Sequence, residues 1–445
     1  MQQQTTFFDR MNNWLKNSIT LKLVVTGILI LLLMIPSSMV QSLIAEREGL
    51  RDDASREVSS KWGGPQTISG PVISVPYTER YRDEENHEQV RTAYAHFLPE
   101  QLNVSGALKP EKRYRGIYVV VLYNTQLKIS GRFAKADVDV LPEVKSALRW
   151  NEAILTMGIT DMKGIRNKVA FQINQQVHEA RPGTITTDLF PSGVHVPHPM
   201  SPNDSLQFEV VVDLNGSSEF NVLPFGKETS MQLSSPWSSP SFQGDFLPEK
   251  RQVQADGFTA NWRVLQLNRN YPQQGTGNFV GDHAGFGVKL LLPVDEYQKT
   301  MRSAKYGMMF IIITFLSFFF IEIINRKRIH TVQYLLVGFA VVLFYVLLLS
   351  ISEHLNFNWS YGISSLAIVG LITAYAYSMF QNVKLTGLFS TVLVVLYVFF
   401  YSLLQLEDYA LLLGSVGLFL ILATIMYLTR KIDWYGGGEI RESNL

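Results

Sequence analysis

Cysteine is absent from all 445 residues. That excludes disulfide staples, a thiol nucleophile and thiolate metal sites, so any folded part is held by its core alone. A charge excess is absent too: 39 basic and 38 acidic side chains leave a formal net charge of +1. A chain so close to neutral carries no electrostatic footprint for nucleic acid or for a strongly acidic partner. Gly-x-Ser-x-Gly and His-Glu-x-x-His are both missing, so the commonest serine-hydrolase and zinc-protease motifs are excluded. Proline does not occur after Pro293.

What the chain has is long apolar runs. Its mean hydropathy of +0.09 averages two unlike parts. Residues 305–430 are very apolar, whereas 41–304 read as an ordinary soluble composition. A bilayer core of ~30 Å needs roughly 20 apolar residues per spanning helix. Six segments qualify: an N-terminal anchor at 23–40, then a five-helix bundle at 306–324, 332–350, 361–380, 385–405 and 409–429. The short links between the last five predict antiparallel neighbours.

Basic residues then set the orientation. Arg10, Lys16 and Lys22 precede the anchor, Arg326, Lys327 and Arg328 follow the second span, Lys384 lies between the fourth and fifth, and Arg430 and Lys431 follow the last. The links on the other side, 351–360 and 406–408, hold no Lys or Arg. The expected layout is a cytoplasmic N-terminus (1–22), the anchor (23–40), an exported domain (41–304), the bundle (305–430) and a cytoplasmic tail (431–445). The first segment reads as an uncleaved anchor. A cleaved signal peptide is the alternative, but no small-x-small site follows Pro36-Ser37-Ser38-Met39-Val40.

Between the membrane segments, 41–61 is charged with Leu43, Leu50, Ala54 and Val58 at helical spacing, and Gly63-Gly64-Pro65 is a strong breaker. This predicts a helix continuing out of the membrane. From Gly70 the period changes to that of strands. Residues 126–133 alternate Leu127, Ile129 and Phe133 with Gln126, Lys128, Ser130 and Arg132. Leu206, Phe208, Val210, Val212 and Leu214 alternate with polar neighbours, and Asn215-Gly216 reads as a hairpin turn. Strands are also expected at 71–77, 117–123, 219–225, 229–233, 259–267 and 286–292, a short helix at 141–149 and a long connection at 178–205. A helix beginning near Asp295 should lead back into the membrane. The fold class is therefore a membrane protein with a large, mainly β exported domain of sandwich-like sheets on helical stalks.

Candidate chemistry is sparse. His195 and His198 are three apart, but Pro197 and Pro199 place them in an irregular segment and no carboxylate completes a ligand set. No metal and no cofactor is expected. Gly226-Lys227-Glu228-Thr229 lacks the full phosphate-loop pattern and reads as a turn. Trp237, if exposed, suits a glycan or a partner; core packing is the default. Glu322 is the clear ionisable side chain inside the clustered helices, and such groups are costly and often functional. It lies two residues from the inner end of its helix, so pairing with Arg326, Lys327 or Arg328, or snorkelling, competes with a functional role. Gly338, Gly370, Gly387, Gly414 and Gly417 suit close helix packing.

Four stretches resemble a known family. They are WGGPQTISGPVISVPY (62–77), LPFGKETSMQLSSPWSSPSFQGDFLP (223–248), FGVKLLLPVDEYQKTMRSAKYG (286–307) and the apolar run with IEIINRKRIH within 315–355. Together they resemble the CreD-type inner-membrane proteins, the envelope-integrity family, over nearly the whole chain. The resemblance implies a Gram-negative inner membrane, a periplasmic domain, and a role in envelope stress under a two-component system, with links to β-lactam response and colicin tolerance. It brings no catalytic residues. The leading expectation is a non-enzymatic envelope protein whose partners are membrane lipids and an unidentified envelope component. A transporter or lipid-handling protein and an envelope enzyme are the alternatives.

Overall fold

The computed structural model describes residues 19–82, 86–281, 285–292, 296–324, 329–406 and 409–430. Two compact units emerge: 1–50 with 295–445, and 51–294. The expected basic cluster at Arg326, Lys327 and Arg328 and both chain ends lie outside the described residues.

The helical unit contains α1 (Ile19–Trp62, which runs on into the second unit), α2 (Glu296–Lys305), α3 (Gly307–Ile324), α4 (Thr331–Ser352), α5 (Phe357–Phe380), α6 (Val383–Gln405) and α7 (Ala410–Thr429). By length and apolar composition α1, α4, α5 and α6 can each cross a membrane. The pair α2–α3, bent by 42° at its break, makes a fifth candidate, and α7 carries a shorter apolar stretch, Leu411–Tyr427. The short links are built by capping. Gln381 ends α5 in the left-handed region, and the Asn382 side chain accepts from the Lys384 and Leu385 amides to start α6. Aromatic rings fill the interior: Phe310 lies 4.2 Å from Phe400 and 4.8 Å from Tyr397, and Phe344 lies 5.0 Å from Tyr397. Two of the five glycines fit the close-packing expectation. A Cβ at Gly338 would fall 2.2 Å from Leu33, and one at Gly417 would fall 2.3 Å from Phe399. Gly370 and Gly387 face open space.

The long helix expected from the first span to the glycines is continuous over 44 residues, with Pro36 inside it. It stops at Gly63, whose positive φ of 142° and close approach to the Asn215 carbonyl admit only glycine.

The second unit is two mixed sheets. Its strands are β1 (Gln66–Arg82), β2 (Glu88–Phe97), β3 (Gln101–Arg115), β4 (Tyr118–Phe133), β5 (Ile154–Ile159), β6 (Ala170–Ile173), β7 (Gln176–Glu179), β8 (Arg181–Pro182), β9 (Gly193–Pro197), β10 (Leu206–Ser217), β11 (Glu219–Val222), β12 (Glu228–Ser235), β13 (Pro240–Gly244), β14 (Lys250–Gln254), β15 (Gly257–Leu265), β16 (Gln274–Thr276) and β17 (Phe286–Leu290). One sheet runs β13-β17-β11-β1-β5-β9-β8 with β2 and β16 attached, and the other runs β14-β15-β12-β3-β4-β10-β6-β7. A single hydrophobic core draws on both. Ile68, Leu155, Phe220 and Val288 come from the first sheet, and Val104, Ile129, Val210 and Leu233 from the second. The alternation expected at 126–133 and 206–214 holds. Val210 faces Ile129 and Val212 faces Leu127, all inside.

Three expectations are corrected. Asn215-Gly216 is not a hairpin turn, because β10 continues through it and the chain turns at Ser218, with φ of 59°. Gly216 is small for another reason: a Cβ there would fall 2.3 Å from the Tyr123 ring. The helix expected at 141–149 is instead a run of three-residue 3₁₀ turns at Val138–Val140, Lys145–Ala147 and Trp150–Glu152. Leu141, Val144, Ala147, Leu148 and Trp150 all pack against the core, which holds this segment flat on the sheet. The expected long connection at 178–205 contains β8 and β9.

Candidate functional site

Glu322 lies near the end of α3 and is 4 % exposed. Its Oε1 receives the Lys22 ammonium at 2.7 Å and the Ile329 amide at 3.5 Å, and its Oε2 receives the Tyr334 hydroxyl at 3.0 Å. The cluster thus joins α1, α3 and α4. Each of these partners among the described residues is a donor, which suits a carboxylate acceptor. A second carboxylate, Glu353 at the C-cap of α4, lies 3.8 Å from Arg47 of α1 and receives the Tyr297 hydroxyl of α2 at 3.4 Å. Both clusters are staples between helices, with their donors already engaged.

The sequence-expected histidine pair has separate neighbours. His195 Nδ1 lies 2.8 Å from the Gly183 carbonyl, whereas the His198 ring meets His178 edge-on at 5.7 Å. Burial and the neighbouring His178 push the His198 pKa down. Among the described residues no three His, Asp or Glu side chains are placed to hold a metal. Trp237 is buried and its indole donates to the Leu291 carbonyl at 2.8 Å, in keeping with core packing. Gly226-Lys227 bend the chain into β12, which begins at Glu228, and the Gly226 amide donates to Thr229 Oγ1 at 2.9 Å.

A Ser-His-Asp arrangement escaped the sequence reading. Ser74 on β1 and His96 on β2 are cross-strand partners with Oγ 2.9 Å from Nδ1, and Asp188 Oδ2 lies 3.0 Å from Nε2. This hydrogen bond to His96 lowers the Asp188 pKa. Ser74 is 3 % and His96 1 % exposed, and the Phe279 ring stacks on the imidazole. A nucleophile must reach its substrate. With Ser74 and His96 sealed and Asp188 half-buried, the three side chains strut the 184–192 segment to the sheet.

One open cleft of the β unit has a volume of about 360 Å³. Phe97, Phe133 and Trp150 lie on its apolar side, and Lys227, Gln266, Gln273 and Gln274 on its polar side. Trp150 stands 5.1 Å from Phe97. The polar wall is set by Arg269, a buried guanidinium lying 4.2 Å over the Tyr271 ring. It donates to the carbonyls of Tyr271 (3.1 Å), Phe225 (3.3 Å) and Gly226 (3.3 Å), and to the Gln273 side chain. Gln273 in turn donates to the carbonyls of Pro99 and Phe225. Burial pushes the Tyr271 hydroxyl up to about 12. Nothing in the local pattern around Arg269 marks it; its acceptors come from segments far apart in sequence.

A helical unit with several candidate membrane spans, linked to a large mixed-sheet unit, defines the class: a multi-pass membrane protein bearing a β domain. The family described as "Inner membrane protein CreD" matches residues 18–435. The chain is also 34 % identical over 415 residues to the Inner membrane protein CreD of Escherichia coli strain K12, covering 91 % of each. The chain belongs to the CreD family of inner-membrane proteins.

Proposed function

We propose that the protein supports cell-envelope integrity without catalysing a reaction, using its β unit, residues 51–294, as a periplasmic module that binds or scaffolds envelope components. In this reading the chain crosses the inner membrane six times, with both termini cytoplasmic and 41–304 outside. The observation that carries it is connectivity. The β unit has its own core, and the α1 and α2 helices continue from its two ends. A domain tied at both ends is restrained close to the bilayer, which suits a tether. The sealing of Ser74 and His96, and the donors that surround Glu322, weigh against chemistry at the two most reactive-looking places.

The test is a graft. Residues 41–304 are anchored through an unrelated transmembrane helix in a strain lacking the protein, and its envelope phenotype is scored. Rescue is expected. Failure with a folded, correctly exported domain moves the function to the helices and favours the second reading, transport or lipid handling. The 42° bend between α2 and α3 is the observation behind that alternative, because broken helices are a transporter device.

A further inference from the structure

We propose that the β unit binds a glycan strand, an uncharged polyhydroxylated polymer, along a trough that starts at the Trp150 cleft and crosses the outer face of the sheet containing β3, β4, β10 and β6. The inference deepens the functional reading above and rests on it.

Three hollows adjoin to form the trough. The cleft of about 360 Å³ shares Glu100, Lys227 and Gln266 with a second hollow of about 440 Å³. That hollow shares Gln101 and Arg132 with a third of about 540 Å³. The third lies on polar side chains set in register. Gln101 faces Arg132, which faces Gln207, whose amide donates to Asn174 Oδ1 at 2.9 Å. One pleat further on, Asn103 faces Ser130, Ser130 faces Glu209, and Glu209 faces Gln172. Two polar rows therefore cross the strands. Neighbouring strands are about 4.8 Å apart, close to the advance of a sugar chain per residue.

The lining selects the ligand class. Its charges are largely matched: Arg132 with Glu100 at 3.1 Å, Arg263 with Glu228 at 2.7 Å and Lys128 with Glu209 at 2.9 Å. A nucleic acid or another polyanion needs a surplus of cations that this arrangement lacks. An extended peptide adds to a sheet through a free edge, and β3, β4 and β10 are interior strands whose backbone groups are used on both sides. A lipid tail needs an unbroken apolar groove; apolar surface lines the first two hollows, through Trp150 and then through Leu265 and Leu267, and gives way to polar side chains in the third. What remains is a set of side-chain amides leading to an aromatic platform: Gln101, Gln172 and Gln207 each present a donor and an acceptor in one plane, while Asn103 and Asn174 present donors, their Oδ1 atoms already accepting from the Ser230 hydroxyl and the Gln207 backbone amide. Sugar hydroxyls match the first and the apolar face of a sugar ring matches the second.

The experiment uses the full chain in lipid nanodiscs and titrates it with the dimer, tetramer and hexamer of N-acetylglucosamine. A polyuronate and an unstructured neutral peptide serve as controls. Affinity should rise with oligomer length, because longer chains reach further along the trough. The double substitution Asn103→Ala/Gln172→Ala, on the exposed far row, should weaken the hexamer about tenfold and leave the dimer unchanged. Trp150→Leu should weaken all three; if that variant does not fold, the far-row pair still decides. Absence of saturable binding by any neutral oligomer, length-independent binding untouched by the far-row pair, or binding of the polyuronate or peptide alone would overturn the proposal. Graft rescue without glycan binding sinks this inference and leaves the functional reading standing. Glycan binding without graft rescue does the reverse.

Discussion

A carboxylate among apolar helices is tolerated when neighbours neutralise it, and for Glu322 the neutralising group is Lys22 at 2.7 Å. The two partners are unequal: Glu322 is 4 % exposed and Lys22 35 %. Among the described residues Lys22→Met should therefore leave the buried carboxylate with the Tyr334 hydroxyl and the Ile329 amide, and cost ~3–5 kcal/mol. Glu322→Gln should cost less, because Lys22 can turn outward. The double variant should resemble Glu322→Gln. Melting of the purified chain in detergent measures all three; equal midpoints for Lys22→Met and wild type would show that the pair contributes nothing. Sequence singles out Glu322 and leaves it to snorkel or to pair with Arg326, Lys327 or Arg328, which lie outside the described residues; Lys22 reads only as an orientation signal. Pairs 300 residues apart leave no local trace. His198 gives a pH test. Its pKa is depressed by burial and by His178, with Asp204 opposing. The folded state then favours the neutral ring, so this stabilisation is present above the ordinary value near 6.5 and is lost as pH falls through the depressed folded value. Wild type should lose more thermal stability between pH 7 and pH 5 than His198→Asn, and equal slopes would refute the assignment.

Elements differ in how plainly the sequence announces them. The 126–133 half of β4 and the strand β10 were legible because one face of each is buried, which forces alternation, whereas the 117–123 run was legible as an apolar stretch, buried on both faces over 120–123. The 3₁₀ turns between Val138 and Glu152 were not, since an apolar cluster there satisfies a helix pattern as well as a flat segment on the core. Sheet order was out of reach. β1 pairs in parallel with β11 and β12 with β3, and parallel pairing joins residues far apart in the chain. Asn215-Gly216 shows the limit of turn signals. The glycine there makes room for Tyr123, whose hydroxyl donates to the Glu219 carbonyl at 2.8 Å. Gly216→Ala should thus destabilise by displacing a buried ring, by about 1–3 kcal/mol. A turn glycine with positive φ would be affected through backbone strain instead. Tyr123→Leu separates the two, because it removes the ring atoms a Cβ would meet, Cζ and the hydroxyl oxygen both at 2.3 Å. Gly216→Ala should cost less in the Tyr123→Leu background than in wild type; an equal cost in both would count against the packing account.

Across the whole chain, apolar length made the membrane part legible: six spans were expected, and among the described residues four helices, or five counting the bent pair, are long and apolar enough to cross. The trough was the least legible, because it gathers side chains from β3, β4, β6, β10 and the 266–274 segment. The orientation lies between. Basic residues predict it, and the staples on α1 add a length argument. Lys22 and Arg47, which hold Glu322 and Glu353, are 25 positions apart on one helix. At 1.5 Å per residue that is roughly 38 Å, enough to cross a hydrocarbon core of ~30 Å and place each ion pair near an interface. Ion pairs sited so avoid the cost of charge at mid-depth, and they mark the two ends of the first span. The expected outcome is that a single cysteine replacing Ser60 in this cysteine-free chain is labelled by an impermeant thiol reagent in intact spheroplasts. One replacing Ser443 should be labelled only after permeabilisation. Labelling of the Ser443 position from outside would reverse the assigned orientation or change the parity of the spans. Protection of the Ser60 position in a folded protein would remove the exported β unit from which the functional reading and the glycan trough both start.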